Sequence, residues 1–184
     1  MGTWLAIAGI GVATDNLLLA SAGGGFMRSH TKKKWLRATG LVLILQLQGL
    51  ILGWLVGRIM DGWFGSVAHW VAIGFILCMG LRILFEATSS WQLHGQFALT
   101  AQNILDAAIG TAIYTFVYGQ SANMLHATLP RSLELMAGAA TICIAGGLLL
   151  AQRYRTLRFV RFAGGLIVCS SAVFLLVREL GNAS

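Results

Sequence analysis

Six long apolar stretches, each close to the length of a bilayer crossing and parted by short hydrophilic breaks, leave this chain little choice of solvent. A helix needs about 20 mostly apolar residues to cross a membrane. Hydropathy and the breaks together predict helices at about 3–26, 37–60, 67–86, 97–119, 132–152 and 159–178. Only 10% of the 184 residues are charged and 57% are hydrophobic, where a soluble domain carries about 25% charge. No soluble domain of useful size fits between the spans, and the expectation is an all-α membrane protein, a single integral domain of six transmembrane helices. The first stretch has no basic leader and Asp15 is its first charged side chain, which favours a retained first span over a cleaved signal peptide.

The formal net charge is +7, which in a soluble chain would suggest nucleic acid. Here nine of the thirteen basic residues fall in two breaks: Arg28, Lys32, Lys33, Lys34 and Arg37 after the first span, and Arg153, Arg155, Arg158 and Arg161 after the fifth. With six spans those breaks share one side. The positive-inside rule makes that side cytoplasmic and puts both termini outside. Anionic lipids at the two basic loops are the expected counter-charge, and no nucleic-acid partner is expected. Trp35, Trp63, Trp70, Trp91 and Tyr154 lie near span ends, as interfacial anchors do. Cys78, Cys143 and Cys169 all sit in apolar stretches, an odd number that frames no disulfide scaffold.

Three spans per half force the second half to enter the membrane inverted relative to the first. Asp15 and Asp106 are separated by the same interval as Gly74 and Gly165, and as Cys78 and Cys169. These coincident offsets predict an inverted 3+3 repeat, residues 1–90 and 91–184.

Each aspartate sits about halfway along its span. A central Asp costs about 2.5–3.5 kcal/mol on insertion scales, so a partner or a wet cavity is expected. Gln102 and Asn103 lie one helical turn before Asp106, on its face; Asn16 and Thr14 flank Asp15; the second span adds Gln46 and Gln48. Lysine occurs only at 32–34, so no buried lysine balances either carboxylate, and Arg82 has Glu86 four residues on as a local ion pair. Two carboxylates then match a divalent cation, and hard oxygen donors suit magnesium, calcium or manganese. His30, His69, His94 and His126 fall in loops or at span ends, so no imidazole or thiolate site is expected at the midplane. The alternative for either aspartate alone is a protonated group that fixes helix packing. Gly49, Gly53 and Gly57 recur every four residues, a ridge of small residues for close helix approach.

The stretch Gly11-Val-Ala-Thr-Asp15-Asn-Leu-Leu-Leu-Ala-Ser21 resembles the aspartate motif in the first helix of the MntP-type bacterial manganese exporters, members of the LysE transporter superfamily. Leu105-Asp106-Ala107 resembles its counterpart in their fourth helix. Gly80-Leu-Arg82-Ile-Leu-Phe-Glu86 is similar to the family's Gly-x-Arg-x-x-x-Glu signature, and Ala163-Gly-Gly-Leu-Ile-Val168 to the start of its sixth helix. The likeness runs through nearly the whole chain in order. It departs at Asn16, where the family usually has a small residue, and at Gln46, which corresponds to an acidic one.

The resemblance implies a transporter, not an enzyme, in the bacterial inner membrane. It would export a divalent cation, first Mn2+, from the cytoplasm in exchange for protons, with no bound cofactor. Asp15 and Asp106 would be principal ligands, Asn103, Asn16, Gln46 and Gln102 helpers, and rocking of one half against the other would give alternating access. A homodimer is compatible with this reading. Two alternatives stand beside it: an exporter of another cation or small solute in the superfamily, and a membrane thiol oxidoreductase using Cys78 and Cys169.

Overall fold

A computed structural model describes residues 2–26, 32–88, 101–150 and 154–183. They form six α-helices: α1 Gly2–Phe26, α2 Lys32–Phe64, α3 Ala68–Thr88, α4 Ala101–Met124, α5 Leu129–Leu150 and α6 Tyr154–Ala183. A 3-10 turn, Gly65–Val67, joins α2 to α3, and no strand occurs among the described residues.

Several helices outrun their apolar spans. Lys32, Lys33 and Lys34 belong to α2, and Arg155 and Arg158 to α6. Lysine and arginine are good helix formers, so a hydrophilic break ends an apolar span without ending the helix. Helix α4 runs on to Met124, and residues 97–100, expected at its start, lie outside the described residues. Pro130 occupies the first turn of α5, where a missing N–H removes no helical hydrogen bond.

Polarity is arranged inside out. Asn16, Gln46, Thr111, Thr115, Gln120, Ser121 and Ser171 are buried, while Leu52, Ile59, Phe85, Ile142, Phe159 and Val177 are exposed. Soluble monomers seldom expose apolar surface on this scale, whereas hydrocarbon accepts it and penalises unpaired polar groups. Among the described residues, Gly40–Thr88, which takes in most of α2 and all of α3, and Phe159–Gly181 in α6 are long and apolar enough to cross a bilayer. The bundle is a membrane protein.

Glycine sets how closely the helices approach. Along α2, a Cβ at Gly49 would stand 2.7 Å from the Ala112 carbonyl oxygen, and one at Gly53 or Gly57 would run into the carbonyls of Phe116 or Gln120. Gly119 of α4 returns the contact against Leu50. The two backbones therefore touch along a parallel seam. Gly11 and Gly164 let α1 cross α6, and Gly80 and Gly165 let α3 cross it, against Cys169 and Leu84. Thr111, Thr115 and Ser171 donate their hydroxyl protons to carbonyls one turn back in their own helices, at 2.8–2.9 Å. Their polarity is thereby spent locally and does not hold neighbouring helices apart.

Contacts at both ends fix the helix directions. On α3 and α4, His69 meets His126 while Arg82 lies over the Tyr114 ring, so these helices are antiparallel. Trp4 stacks on Phe174 and Gly11 meets Gly164, so α1 and α6 are antiparallel. Glu86 meets Arg161 and Gly80 meets Cys169, which sets α3 against α6 in the same sense. Helices α1 and α4 thus run in opposite directions. The main packing pairs are α2 with α4, α1 with α5, α3 with α6, α1 with α6 and α3 with α4.

Helix α4 closes with two backbone bonds. The His126 N–H donates to the Asn123 carbonyl and the Ala127 N–H to the Ala122 carbonyl, each at 2.8 Å. This is a Schellman cap, and His126 takes its left-handed position, with φ 58°. The Trp54 indole N–H donates to the Ala127 carbonyl at 3.2 Å and holds the same link to α2.

Candidate functional site

Asp15 lies in α1, and Gln102, Asn103 and Asp106 lie in α4. The side chains of these four residues are outside the described residues. Their backbones are helical, and the register between the two helices is set farther along. There the Tyr118 hydroxyl donates to the Leu5 carbonyl at 3.1 Å, and Gly9 leaves room for the ring, since a Cβ would approach its oxygen to 2.9 Å.

Next to Asp15 in the chain, Asn16 forms a reciprocal amide pair with Gln46 between α1 and α2. Asn16 Nδ2 donates to Gln46 Oε1 at 3.1 Å, and Gln46 Nε2 donates back to Asn16 Oδ1. Both are almost wholly buried, 1% and 3% exposed. Each primary amide has two donor hydrogens and an oxygen with two lone pairs. The pair therefore satisfies half of each group, fixes which way each oxygen faces, and leaves one N–H and one lone pair on each. Gln48, two residues along α2, turns to the exposed side and joins none of this. Beside Asn16, the Thr14 hydroxyl donates to the Gly11 carbonyl at 2.6 Å and packs against Gly164 of α6.

A second polar group ties α3 to α6. Arg82 Nε donates to Glu86 Oε1 at 3.1 Å within α3, and Arg161 Nη2 of α6 pairs with Glu86 Oε2. The Arg82 side chain is 62% exposed, whereas Arg161 is 18% exposed, so the cross-helix link is the more sheltered of the two. Sequence reading counts Arg161 with the basic cluster at the start of the sixth span and leaves this link to Glu86 unseen.

The cysteines are free thiols. Cys169 Sγ lies against Gly80, and Cys78 is exposed on an open, mostly apolar cleft of about 180 Å³ between α3 and α4, shared with Phe75, Arg82 and Tyr114. Among the described residues, no three histidine, cysteine, aspartate or glutamate side chains gather in a metal cluster.

Comparison with known proteins follows the same residues. The sequence model of a family described as "Mntp: Putative manganese efflux pump" matches residues 28–176. A protein named "Putative manganese efflux pump MntP" from Geobacter sp. (strain M21) is 28% identical over 96% of this chain and 97% of its own length. Its namesake from Neisseria meningitidis strain FAM18 is 24% identical, with 96% of each chain covered. "Putative manganese efflux pump MntP 2" of Wolinella succinogenes is 25% identical over 96% of this chain and 97% of its own. No solved structure matches.

Proposed function

Because the chain belongs to the Mntp family, we propose that this metal-efflux transporter carries a divalent cation, Mn2+, out of the cytoplasm in exchange for protons, through a midplane site built on Asp15 and Asp106. The relatives' names supply the cargo and the direction, and they describe transporters, not enzymes.

The observation that carries the site is register. From Leu5, α1 runs about 15 Å to Asp15; from Tyr118, α4 runs back about 18 Å to Asp106, at 1.5 Å per residue. Since the helices are antiparallel and meet where Tyr118 bonds Leu5, both aspartates fall at nearly one depth. The buried Asn16–Gln46 pair lies beside that level, a polar element that hydrocarbon alone would disfavour.

The inverted repeat, residues 1–90 and 91–184, is part of the proposal and has its own support. Exchanging α1 with α4, α2 with α5 and α3 with α6 carries the α2–α4 contact onto α5–α1, and the α1–α6 contact onto α4–α3; the α3–α6 contact maps onto itself. A bundle symmetric in its contacts has equivalent routes to its two faces. With the positive-inside orientation, Glu86 and Arg161 lie at the cytoplasmic end, His69 and His126 at the outer end, and both termini outside, in the bacterial inner membrane.

In the mechanism, Asp15 and Asp106 are the charged ligands. Asn103, Gln102 and the free lone pairs of Asn16 and Gln46 are the neutral oxygen donors, a set suited to a hard divalent ion. Cation and protons compete for the same carboxylate oxygens, so the site holds one or the other. Release of the cation outside is therefore coupled to proton uptake at the same oxygens, and return of the protonated site to proton release inside. Anionic lipids neutralise the basic residues near the starts of α2 and α6.

The test is metal retained by cells that make Asp15→Asn or Asp106→Asn protein at normal membrane levels. Export should fall to background in both, and export retained by both would remove this site. Proteoliposomes with an internal pH dye, challenged with a panel of divalent metals, should report proton movement opposite to Mn2+. Cys78→Ser with Cys169→Ser should leave that movement intact.

A further inference from the structure

Away from the midplane, His69 on the first turn of α3 and His126 just after α4 bring their imidazole rings together, with centroids 4.9 Å apart and planes at 66°. We infer that they form a two-imidazole site for a borderline transition-metal ion such as Zn2+, linking one helix from each half of the bundle at its outer end.

The first argument is distance. A metal about 2.0–2.1 Å from a ring nitrogen lies roughly 3.2 Å from that ring's centroid. Two imidazoles subtending 90–110° at one ion then have centroids roughly 4.5–5.2 Å apart. The observed separation lies inside that interval. Access is the second: His126 is exposed and His69 half-buried at the rim, which leaves water to complete the coordination shell.

The third argument is the backbone. The left-handed position of a Schellman cap is filled most easily by glycine, yet here a histidine holds φ 58°. Among residues with a Cβ, histidine is one of the few enriched in that region. The link that carries it is held on two sides, by its cap bonds to Ala122 and Asn123 and by the Trp54 indole. One ligand is thus fixed before any ion arrives.

Donor chemistry selects the ion. Imidazole suits zinc, nickel and copper, whereas manganese prefers oxygen donors. The site therefore does not take the proposed cargo, and its existence is independent of the transport reading.

The experiment uses the full chain, purified in detergent, with ZnCl2 as probe and MnCl2 at equal concentration as comparison. At zinc well above the dissociation constant, the thermal unfolding midpoint should rise by on the order of 5 °C, with a much smaller change for manganese. His126→Gly and His69→Ala should each abolish the zinc-dependent rise. Glycine adopts φ 58° without strain, so His126→Gly should unfold at or above the parent's midpoint in the absence of zinc, separating lost binding from lost folding. No zinc-dependent rise in the parent, or an undiminished rise in both variants, would overturn the inference.

Discussion

A single helix offers an internal comparison of glycines that should respond to alanine with opposite signs. In α2, a Cβ added at Gly40 or Gly62 meets nothing within 4 Å. Alanine there simply removes glycine's backbone entropy cost, a gain of up to about 1 kcal/mol. At Gly53 the same methyl group meets the Phe116 carbonyl oxygen, carbon and Cα. These are backbone atoms that no rotamer change can move, so α2 and α4 would have to part along the seam from Gly49 to Gly57. Overpacking of this kind costs about 1–3 kcal/mol, enough to outweigh the propensity gain. For a chain of this size that is a fall of about 2–10 °C in unfolding midpoint. Gly49→Ala, with its nearest obstacles at 2.7 Å and 3.0 Å, should fall between Gly53→Ala and the open positions. The assay is thermal unfolding of each variant in one detergent. If Gly53→Ala unfolds at or above the temperature of Gly40→Ala, the backbones of α2 and α4 are not in contact and the packing argument fails.

Other tests address the polar groups. Gln46→Leu leaves the buried Asn16 amide without its partner and should cost about 1–2 kcal/mol; the double variant with Asn16→Leu should cost less than the sum of the singles, which a double-mutant cycle on unfolding midpoints will show. Arg161→Ala should destabilise by about 1 kcal/mol or more because it unties α6 from Glu86, while Arg82→Ala removes an exposed pair within one helix, about 0.2–0.5 kcal/mol, and an exposed cation–π contact with Tyr114, about 0.5–1 kcal/mol. Molar salt in the same unfolding assay should lower the ion-pair cost of Arg82→Ala more than that of Arg161→Ala, since the Arg161 link is the sheltered one. Without added metal, His126→Gly should gain up to about 1 kcal/mol from relief of the left-handed backbone.

What the sequence discloses follows from which interactions are local. Apolar runs predict the helices because lipid demands them in every turn, and Gly49, Gly53 and Gly57 announce a seam because they repeat with the helical period. The identity of its partner, α4, depends on packing between segments far apart in the chain. The i, i+4 spacing displays Arg82 and Glu86, but the link from Arg161 is hidden because it joins two helices 75 residues apart in the chain. Asn16 and Gln46 are visible as polar residues in apolar spans, whereas their mutual bond crosses two helices and leaves no mark in spacing. Gln48 shows the converse: it shares Gln46's chemistry, but two residues along a helix rotate it by about 200°, onto the opposite face. His69 and His126 carry no motif at all; only the antiparallel run of α3 and α4 makes them neighbours.

The glycine seam also bears on which pieces of the protein can travel together. Helices whose main chains abut resist sliding or parting, so α2 and α4 are joined into one stiff body although they come from different halves of the sequence. Any rearrangement of the bundle therefore has to carry the second and fourth helices as a unit.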